Sequence, residues 1–212
     1  MYNPAKFKSQ NINDAFDLMD AYPFATVISV DEGLPIISHI PITPIKIGEE
    51  LSLISHLACA NPHSKILTKG PITAVFHGPH TYISPMWYGE NDVPTWNYSV
   101  VHVSGVAELI ETNSELIDCL QTLTAHIERH WPSGWDFFIP DDLQGDDLAK
   151  HIVGFKIKIN KINFKNKLSQ NRPATDREGI LKGLETRTDE NSRLVGKAMR
   201  KLLTVDTKPK NF

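Results

Sequence analysis

The sequence has few cysteines and no long hydrophobic run. Cys59 and Cys119 are its two cysteines. They are too few for a disulfide scaffold, so we expect buried thiols. No apolar run approaches the roughly 18 residues of a membrane span, and residues 1–6 lack the apolar core of a signal peptide. We therefore expect a cytoplasmic protein that does not associate with a membrane.

The chain also lacks a strong excess of either charge. Of its 212 residues, 41% are hydrophobic and 22% are charged, and the formal net charge is -3. This is an ordinary globular composition, sufficient for one good-sized core with appendages. The mild acidity argues against bulk electrostatic attraction to nucleic acid, although a local basic patch could still bind it.

Acidic residues are absent from residues 51–89, although the chain is acidic overall. The same interval holds two lysines and four histidines: Lys65, Lys69, His56, His63, His77 and His80. A stretch without carboxylates suits a phosphate, because carboxylates would repel the anion. This interval is therefore the first candidate for an anion site.

Within that interval, residues 61–65 are typical of the start of a helix that follows a strand. Asn61 is a good N-cap, and Pro62 suits the first helical position. A helix start offers free N–H donors and the positive end of the macrodipole. Ser64 and Lys65 would add a hydroxyl and a cation, so a phosphate-bearing cofactor could bind there. The alternative is an ordinary capped helix in a chance gap between acidic residues.

A second segment without acidic residues spans 148–175. Lys156 and Lys158 alternate with apolar residues there, as expected for the wet face of a strand. The later cluster, residues 167–172, is a more specific signal. It places several donors just past the strand, where they could hold a phosphate or an electron-rich ring edge.

Hydrophobic periodicity and turn signals predict six strands and six helices. Pro35, Pro41 and Pro44 fall within the second strand, which should be an edge, be bulged or carry a ligand, because proline lacks the ladder donor. Residues 78–80 predict a turn. The predicted strands cover residues 24–30, 34–47, 51–57, 71–77, 94–111 and 152–164, and the predicted helices cover residues 11–22, 62–68, 114–131, 146–150, 173–186 and 190–203.

Short strand spacing, with helices inserted rather than alternating, favours a mainly β fold: an antiparallel barrel with helical additions. A doubly wound parallel sheet is disfavoured for the same reason. We expect a barrel domain over residues 1–172 and a C-terminal helical extension over residues 173–212.

Two stretches of the sequence resemble the signature of the PaiB family. They are Tyr-Ile-Ser-Pro-Met-Trp-Tyr at residues 82–88 and Val-Pro-Thr-Trp-Asn-Tyr at residues 93–98. Members of this family are FMN-binding proteins often labelled negative transcriptional regulators. Residues 60–65, 152–155 and 167–173 match the same family in the same order, and the likeness extends over residues 1–184.

The resemblance implies a split β-barrel of Greek-key type, similar to pyridoxamine-phosphate-oxidase-like flavoproteins. Such proteins usually form homodimers with FMN at the subunit interface. One departure is Ser64 before Lys65, where the oxidase-like relatives usually place Arg-Lys.

By the same analogy, three groups of residues would bind FMN. The second and third strands would line the isoalloxazine with Ser38, His39, Ile40, Pro41, His56, Leu57 and Ala58. The ribityl phosphate would be held by Asn61, His63, Ser64 and Lys65. The pocket would be completed, partly from the other subunit, by Trp96, Asn97, Lys167, Ser169, Gln170 and Arg172.

Two other patterns have less specific interpretations. His126 and His130 stand four residues apart on a predicted helix, as a metal pair would. No third ligand lies at a recognisable spacing, so we interpret them as helix-surface histidines and expect no metal.

A basic stripe on the last helix could contact DNA phosphates, although a solvated face explains it better and no helix-turn-helix signature accompanies it. The stripe consists of Arg193, Lys197, Arg200 and Lys201.

Three functions therefore remain open. The first is an FMN-binding regulatory protein that represses genes directly or through a partner. The second is an FMN-dependent oxidoreductase acting on a small substrate, with FMN doing the redox chemistry. The third is a flavin or haem carrier. No catalytic residue can be assigned from the sequence.

Overall fold

The computed structural model describes residues 1–9, 11–47, 50–90, 92–129, 134–140 and 148–206. The strands are β1 Lys8–Ser9, β2 Phe24–Asp31, β3 Leu34–Pro41, β4 Thr43–Ile47, β5 Glu50–Ala58, β6 Pro71–Ile83, β7 Thr95–Leu109 and β8 Ile152–Lys167. The helices are α1 Ile12–Ala21, α2 Asn113–Glu128, α3 Leu148–His151, α4 Ala174–Glu185 and α5 Glu190–Asp206, with short 3-10 helices at Ala5–Phe7, Pro62–Lys65 and Pro85–Trp87.

The eight strands form one mostly antiparallel sheet in the order β3-β2-β6-β7-β8-β5-β4, with β1 paired to β8. The segment predicted as one strand over residues 34–47 is two strands, β3 and β4, which are the two ends of this order. Because proline cannot donate to a ladder, its accumulation in this segment fits edge strands. Of the three alternatives expected for this segment, the edge position is confirmed. The predicted single strand is wrong.

The predicted turn at residues 78–80 is also wrong, because β6 continues from Pro71 to Ile83. Gly78 is not among the described glycines with positive φ, which are Gly33 and Gly134. The backbone therefore stays extended, a conformation that proline at position 79 also tolerates. The division of residues 34–47 and the two-residue β1 account for eight strands in the described part of the chain, where six were predicted.

The chain forms two compact units. Unit 1 comprises Met1–Ala15, His77–Val101 and Asn163–Phe212, and unit 2 comprises Phe16–Phe76 and His102–Ile162. The strands β6, β7 and β8 contribute residues to both units. The expected division into residues 1–172 and 173–212 stays a prediction.

Unit 2 contains antiparallel strand pairs, and α2 packs against β5. In the β2–β3 pair, Val27 lies opposite Ser38, and in the β5–β8 pair His56 lies opposite Gly154. Helix α2 begins with a capping box between Thr112 and Glu115, which satisfies N–H groups that the helix itself leaves free. Its buried face, Leu116, Cys119 and Leu123, follows the helical period predicted for this segment.

In unit 1, the helices α4 and α5 pack around residues 85–89, called the signature loop from here on, and form a small core. The contact is close, because a Cβ at Gly183 would lie 2.2 Å from Trp87 Cε2. The guanidinium of Arg187 lies 4.8 Å from the Trp87 ring and adds a cation–π contact. The core consists of Ile83, Leu168, Ile180, Leu184, Val195 and Met199.

Candidate functional site

The predicted anion-binding turn lies in unit 2 and is shorter than expected. Asn61 is the N-cap, as predicted, and its Oδ1 accepts from the His63 backbone N–H at 3.0 Å. The helix ends at Lys65, so the predicted helix over residues 62–68 is wrong. Ile66 leaves helical geometry with φ −120° and ψ 0°. A single 3-10 turn has a small dipole, so any positive charge here comes mainly from side chains.

His63 fixes this turn from inside the protein. Its side chain is 0% exposed, with Nδ1 3.0 Å from Ser38 Oγ and Nε2 2.9 Å from Ser29 Oγ. Asn61 Nδ2 donates to the same Ser38 oxygen at 3.3 Å. Burial lowers the pKa of His63, which favours a neutral ring that can accept at one nitrogen and donate at the other.

One tautomer of His63 satisfies all of these groups. In it, Ser38 Oγ accepts from Asn61 and donates to His63 Nδ1, and the Nε2–H of His63 donates to Ser29. The other tautomer reverses the two bonds of the ring. Ser29 was not predicted, although the alternation along β2 places it inward with Ala25 and Val27, where a hydroxyl needs a partner.

The remaining groups at the turn include polar atoms that could meet a ligand. Lys65 is exposed, and within the described ranges it makes no ion pair. Ser64 Oγ donates to the Cys59 carbonyl oxygen at 3.2 Å. His56 is half-buried, burial lowers its pKa, and its buried Nδ1 has no hydrogen-bond partner within the part of the chain that is described. An unpartnered buried nitrogen is costly unless something binds it.

The predicted ring-binding residues divide between two faces of their strands. Ser38, Ile40 and Leu57 are buried, so they point into the protein. His39 is exposed, its Nδ1 lies 3.1 Å from Thr26 Oγ1, and its ring stacks with that of Phe24 at 6.3 Å. Of the other members, Pro41 and His56 are half-buried and Ala58 is exposed.

In unit 1, Trp96 and Asn97 have different environments. Trp96 is 53% exposed, and its ring lies 6.3 Å from that of His80 and 6.2 Å from that of Tyr82. Asn97 is 0% exposed, and its Oδ1 accepts from Ser169 Oγ at 3.0 Å. Trp96 also lines a cleft of about 340 Å³, whose other lining residues are His77, Gly78, His80, Tyr98, Ser99 and Val100.

The predicted donor cluster after β8 is tied down by local bonds. Lys167 Nζ donates to Thr95 Oγ1. Gln170 Oε1 accepts from the Leu168 backbone N–H at 2.8 Å, and its Nε2 donates to the Asn166 carbonyl at 2.5 Å. Gln170 therefore acts mainly as a cap for the end of the strand.

Arg172 has carboxylate partners from outside its acid-free segment. Its guanidinium pairs with Asp92, lies 3.6 Å from Asp176 Oδ2 and stands 4.1 Å from the Tyr88 ring centroid. Burial is the main cause that raises the pKa of Tyr88. Asp176 also accepts from the Gly89 N–H at 2.9 Å, so this group fixes the signature loop on α4.

The other candidate groups have ordinary structural surroundings. His126 is half-buried with Nε2 2.7 Å from Asp20 Oδ1, and His130 lies outside the described residues. Within the described ranges, no three His, Cys, Asp or Glu side chains are placed to hold a metal ion. Burial raises the pKa of the Cys119 thiol to about 11, which makes it a poor nucleophile.

The basic stripe of α5 is mostly ion-paired. Arg193 pairs with Glu190 at 3.3 Å, and Lys201 lies 3.6 Å from Asp14. Arg200 pairs with Glu185. These pairs agree with a solvated face. None of the described helices combines the length and the hydrophobicity that a membrane crossing needs.

Comparisons with known proteins agree with the residue patterns. A family model described as "Putative FMN-binding domain" matches residues 1–161. The "Protease synthase and sporulation protein PAI 2" of Bacillus subtilis is 34% identical over 202 residues, which is 94% of this chain and 96% of that protein.

Two solved structures are similar in fold. The FAD and heme binding protein from Mycobacterium smegmatis has a TM-score of 0.59 at 18% identity, covering 76% of this chain and 73% of that one. The flavocytochrome Anf3 from Azotobacter vinelandii has a TM-score of 0.59 at 17% identity, covering 76% and 69%. The predicted fold class, a mainly β split barrel with added helices, is confirmed.

Proposed function

The chain belongs to the PaiB family of FMN-binding domains, and on this premise we propose that it binds FMN through the turn at residues 61–65. The observation that carries the proposal is an exposed cation, Lys65, on a turn that buried neutral groups hold in place. The phosphate would meet Lys65 and the Ser64 hydroxyl, with Asn61 at the start of the turn. His63 would act by positioning, because both of its ring nitrogens are already bonded.

The neighbouring strands are suited to the rest of the cofactor. His56 Nδ1, a buried atom with no partner among the described residues, could bond to the ring or the ribityl chain. His39 and Pro41, with Ala58, present flat or small surfaces suited to a ring edge. Ser38, Ile40 and Leu57 would support these residues from inside. Bound FMN supplies the redox chemistry of its isoalloxazine ring.

We also propose a cytoplasmic homodimer in which a second copy of the chain completes the pocket. Trp96 is exposed and clustered with other aromatic rings, and an exposed aromatic patch is typical of an interface. Of the residues predicted to complete the pocket, Trp96 and Lys167 would reach the cofactor. The others would support them from behind: Asn97, Ser169, Gln170 and Arg172. Light scattering measures the mass of the protein in solution and so tests the dimer. A dimer predicts twice the mass of one chain, which is 23.8 kDa.

For the biological role, we propose regulation of gene expression rather than catalysis. The support is the name of the Bacillus subtilis relative, "Protease synthase and sporulation protein PAI 2". Because the α5 stripe is mostly ion-paired, action through a partner protein is a better expectation than direct binding to DNA. A gel shift with DNA from the promoter of the protein's own gene, at several salt concentrations, tests direct binding. Direct binding must weaken steeply as the salt concentration rises.

One absorbance experiment separates regulator from oxidoreductase. The purified protein is expected to be yellow, and its flavin is expected to stay oxidised when NADH or NADPH is added anaerobically. Bleaching by either nucleotide would instead support an FMN-dependent oxidoreductase. Colourless protein that takes up no added FMN would contradict the flavin proposal itself.

A further inference from the structure

The end of β8 carries a concentration of positive charge in unit 1. Lys165 and Lys167 share a face of the strand, because side chains alternate between faces. In the register with β1, Lys8 lies directly opposite Lys165. Like charges directly opposite each other in a strand pair are destabilising, so a negative charge nearby would stabilise this arrangement.

Lys165 is buried among neutral groups. Only 7% of it is exposed. Its Nζ donates to the Tyr2 carbonyl oxygen at 3.1 Å and lies 5.5 Å from the Tyr2 ring centroid and 5.3 Å from that of Tyr98. Within the described ranges, no carboxylate pairs with it. A backbone carbonyl and two rings reduce the cost of burying an ammonium, but they do not neutralise its charge.

Lys167 repeats this pattern two residues later. Its described hydrogen-bond partner is the neutral hydroxyl of Thr95. Burial lowers its pKa, and the charges of Lys165, Arg172 and Lys6 lower it further. Arg172 already faces Asp92 and Asp176, so these acids compensate the guanidinium. Among the described residues, no carboxylate is left to pair with the two lysines.

Other lysines of the same strand show the contrast. Lys158 is exposed and lies 3.8 Å from Glu50 Oε1, as expected for a charge kept in water beside an acid. Along β8, the lysines therefore change from a solvated one near an acid, Lys158, to the partly buried Lys165 and Lys167, which have no acidic partner among the described residues.

We infer that Lys165 and Lys167 form an oxyanion site for the phosphate or carboxylate group of a small molecule. The buried Lys165 would supply a fixed charge, and Lys167 would turn from Thr95 to donate to the anion. Lys167 is also one of the residues proposed to complete the FMN pocket, but the site is argued here from the charges of unit 1. The anion would be that of a second ligand if the FMN phosphate lies at residues 61–65, or the FMN phosphate itself if it does not, and the two sources can be separated.

The test measures the melting temperature of flavin-free protein in inorganic phosphate against chloride at equal ionic strength. Phosphate raises melting temperatures non-specifically, because it is excluded from protein surfaces. The decisive quantity is therefore the difference between variants in the phosphate-dependent rise of the melting temperature. Lys165→Met and Lys167→Met remove the site, and Lys197→Met, on the exposed face of α5, removes the same charge elsewhere.

We expect a saturable phosphate-dependent rise of about 2–4 °C beyond the non-specific effect in the wild type and in Lys197→Met. Lys165→Met and Lys167→Met should lose that increment. A wild-type response equal to that of Lys167→Met would overturn the site, and this comparison stands even if Lys165→Met folds poorly.

FMN-loaded protein then identifies the source of the anion. If FMN fills the site, loaded protein shows no further response to phosphate, and Lys167→Met weakens FMN binding but not riboflavin binding. If a second ligand fills it, loaded protein still responds. Protein that binds flavin but shows no specific phosphate response overturns the oxyanion site and leaves the flavin proposal standing.

Discussion

The two groups of predicted cofactor residues are held in place by different forces. In unit 2, Asn61, His63 and Ser38 form a network of neutral hydrogen bonds, and the nearby charge of Lys65 has no partner within the described chain. In unit 1, Arg172 is held by Asp92 and Asp176. Neutral hydrogen bonds hold the turn in place and leave the Lys65 ammonium available to a ligand. Ion pairs hold the loop in place, but they neutralise the Arg172 guanidinium that a ligand would otherwise bind.

This difference has consequences for salt and for ligand binding. Salt screens exposed ion pairs and has little effect on a buried neutral network. We therefore expect the turn of unit 2 to be a preorganised anion site and the Arg172 group to serve mainly as a clamp on the signature loop. The following predictions test each side of this comparison.

The largest effect is expected from His63→Ala. The change opens a cavity, leaves the Ser29 hydroxyl without its His63 partner and leaves Ser38 with Asn61 alone, so the free energy of unfolding should fall by about 3–5 kcal/mol. Urea denaturation measures it. His39→Ala is the control, because His39 is exposed, and should cost less than about 1 kcal/mol. Equal effects of the two substitutions would contradict the role of the buried network.

A smaller effect is expected from Arg172→Met. Asp176 is 8% exposed and would lose its cation, so we expect a loss of about 1–3 kcal/mol in the free energy of unfolding. The matched control is Arg193→Met, whose exposed pair with Glu190 should be worth about 0–0.5 kcal/mol. The Arg172→Met effect should also shrink in high salt. If Arg172→Met lowers the free energy of unfolding no more than Arg193→Met does, Arg172 does not stabilise the signature loop.

The smallest effect concerns pH. Burial lowers the pKa of His63 below its ordinary value of 6.5, so between the lowered value and 6.5 the unfolded chain binds more protons than the folded one. This contribution to stability is complete above pH 6.5 and is lost as pH falls through the lowered pKa, by at most about 1.4 kcal/mol per pH unit.

His63→Gln separates this effect from other acid titrations. Glutamine keeps a donor and an acceptor but does not titrate, so the variant should lose less stability than the wild type between pH 6.5 and 5. Denaturation midpoints measured at several pH values give the comparison. Parallel pH profiles would show that His63 does not contribute to the loss.

Local sequence patterns predicted much of the fold. Alternation and helical periodicity located β2, β5, α2, α4 and α5 to within a few residues, and the prolines of residues 34–47 predicted edge strands correctly. The errors came where tertiary contacts override local signals. Gly78-Pro79 suggests a turn, yet β6 continues through it, and the helix expected from Pro62 ends after one turn because Ile66 departs from helical geometry.

Local patterns predicted the cap of the candidate turn but not the long-range contacts of the candidate residues, and their role in binding stays a prediction. Asn61 was identified as a cap because capping depends on residues close in sequence. The bonds of His63 to Ser29 and of Arg172 to Asp92 join residues 34 and 80 positions apart, which no local pattern reveals. Counting acids within residues 148–175 therefore overestimated the free charge of Arg172.

The central claim, that Lys65 meets the phosphate of FMN, is tested most directly by titrating flavin-free protein with FMN and with riboflavin. Wild-type protein should bind FMN more tightly than riboflavin. Lys65→Glu should weaken FMN binding by about 10–100-fold, because it sets a carboxylate against the phosphate in place of a cation, and should leave riboflavin binding nearly unchanged. Lys69→Glu, an equal charge reversal at an exposed lysine paired with Asp31, should have a much smaller effect. Equal FMN affinity in wild type and Lys65→Glu would contradict the claim.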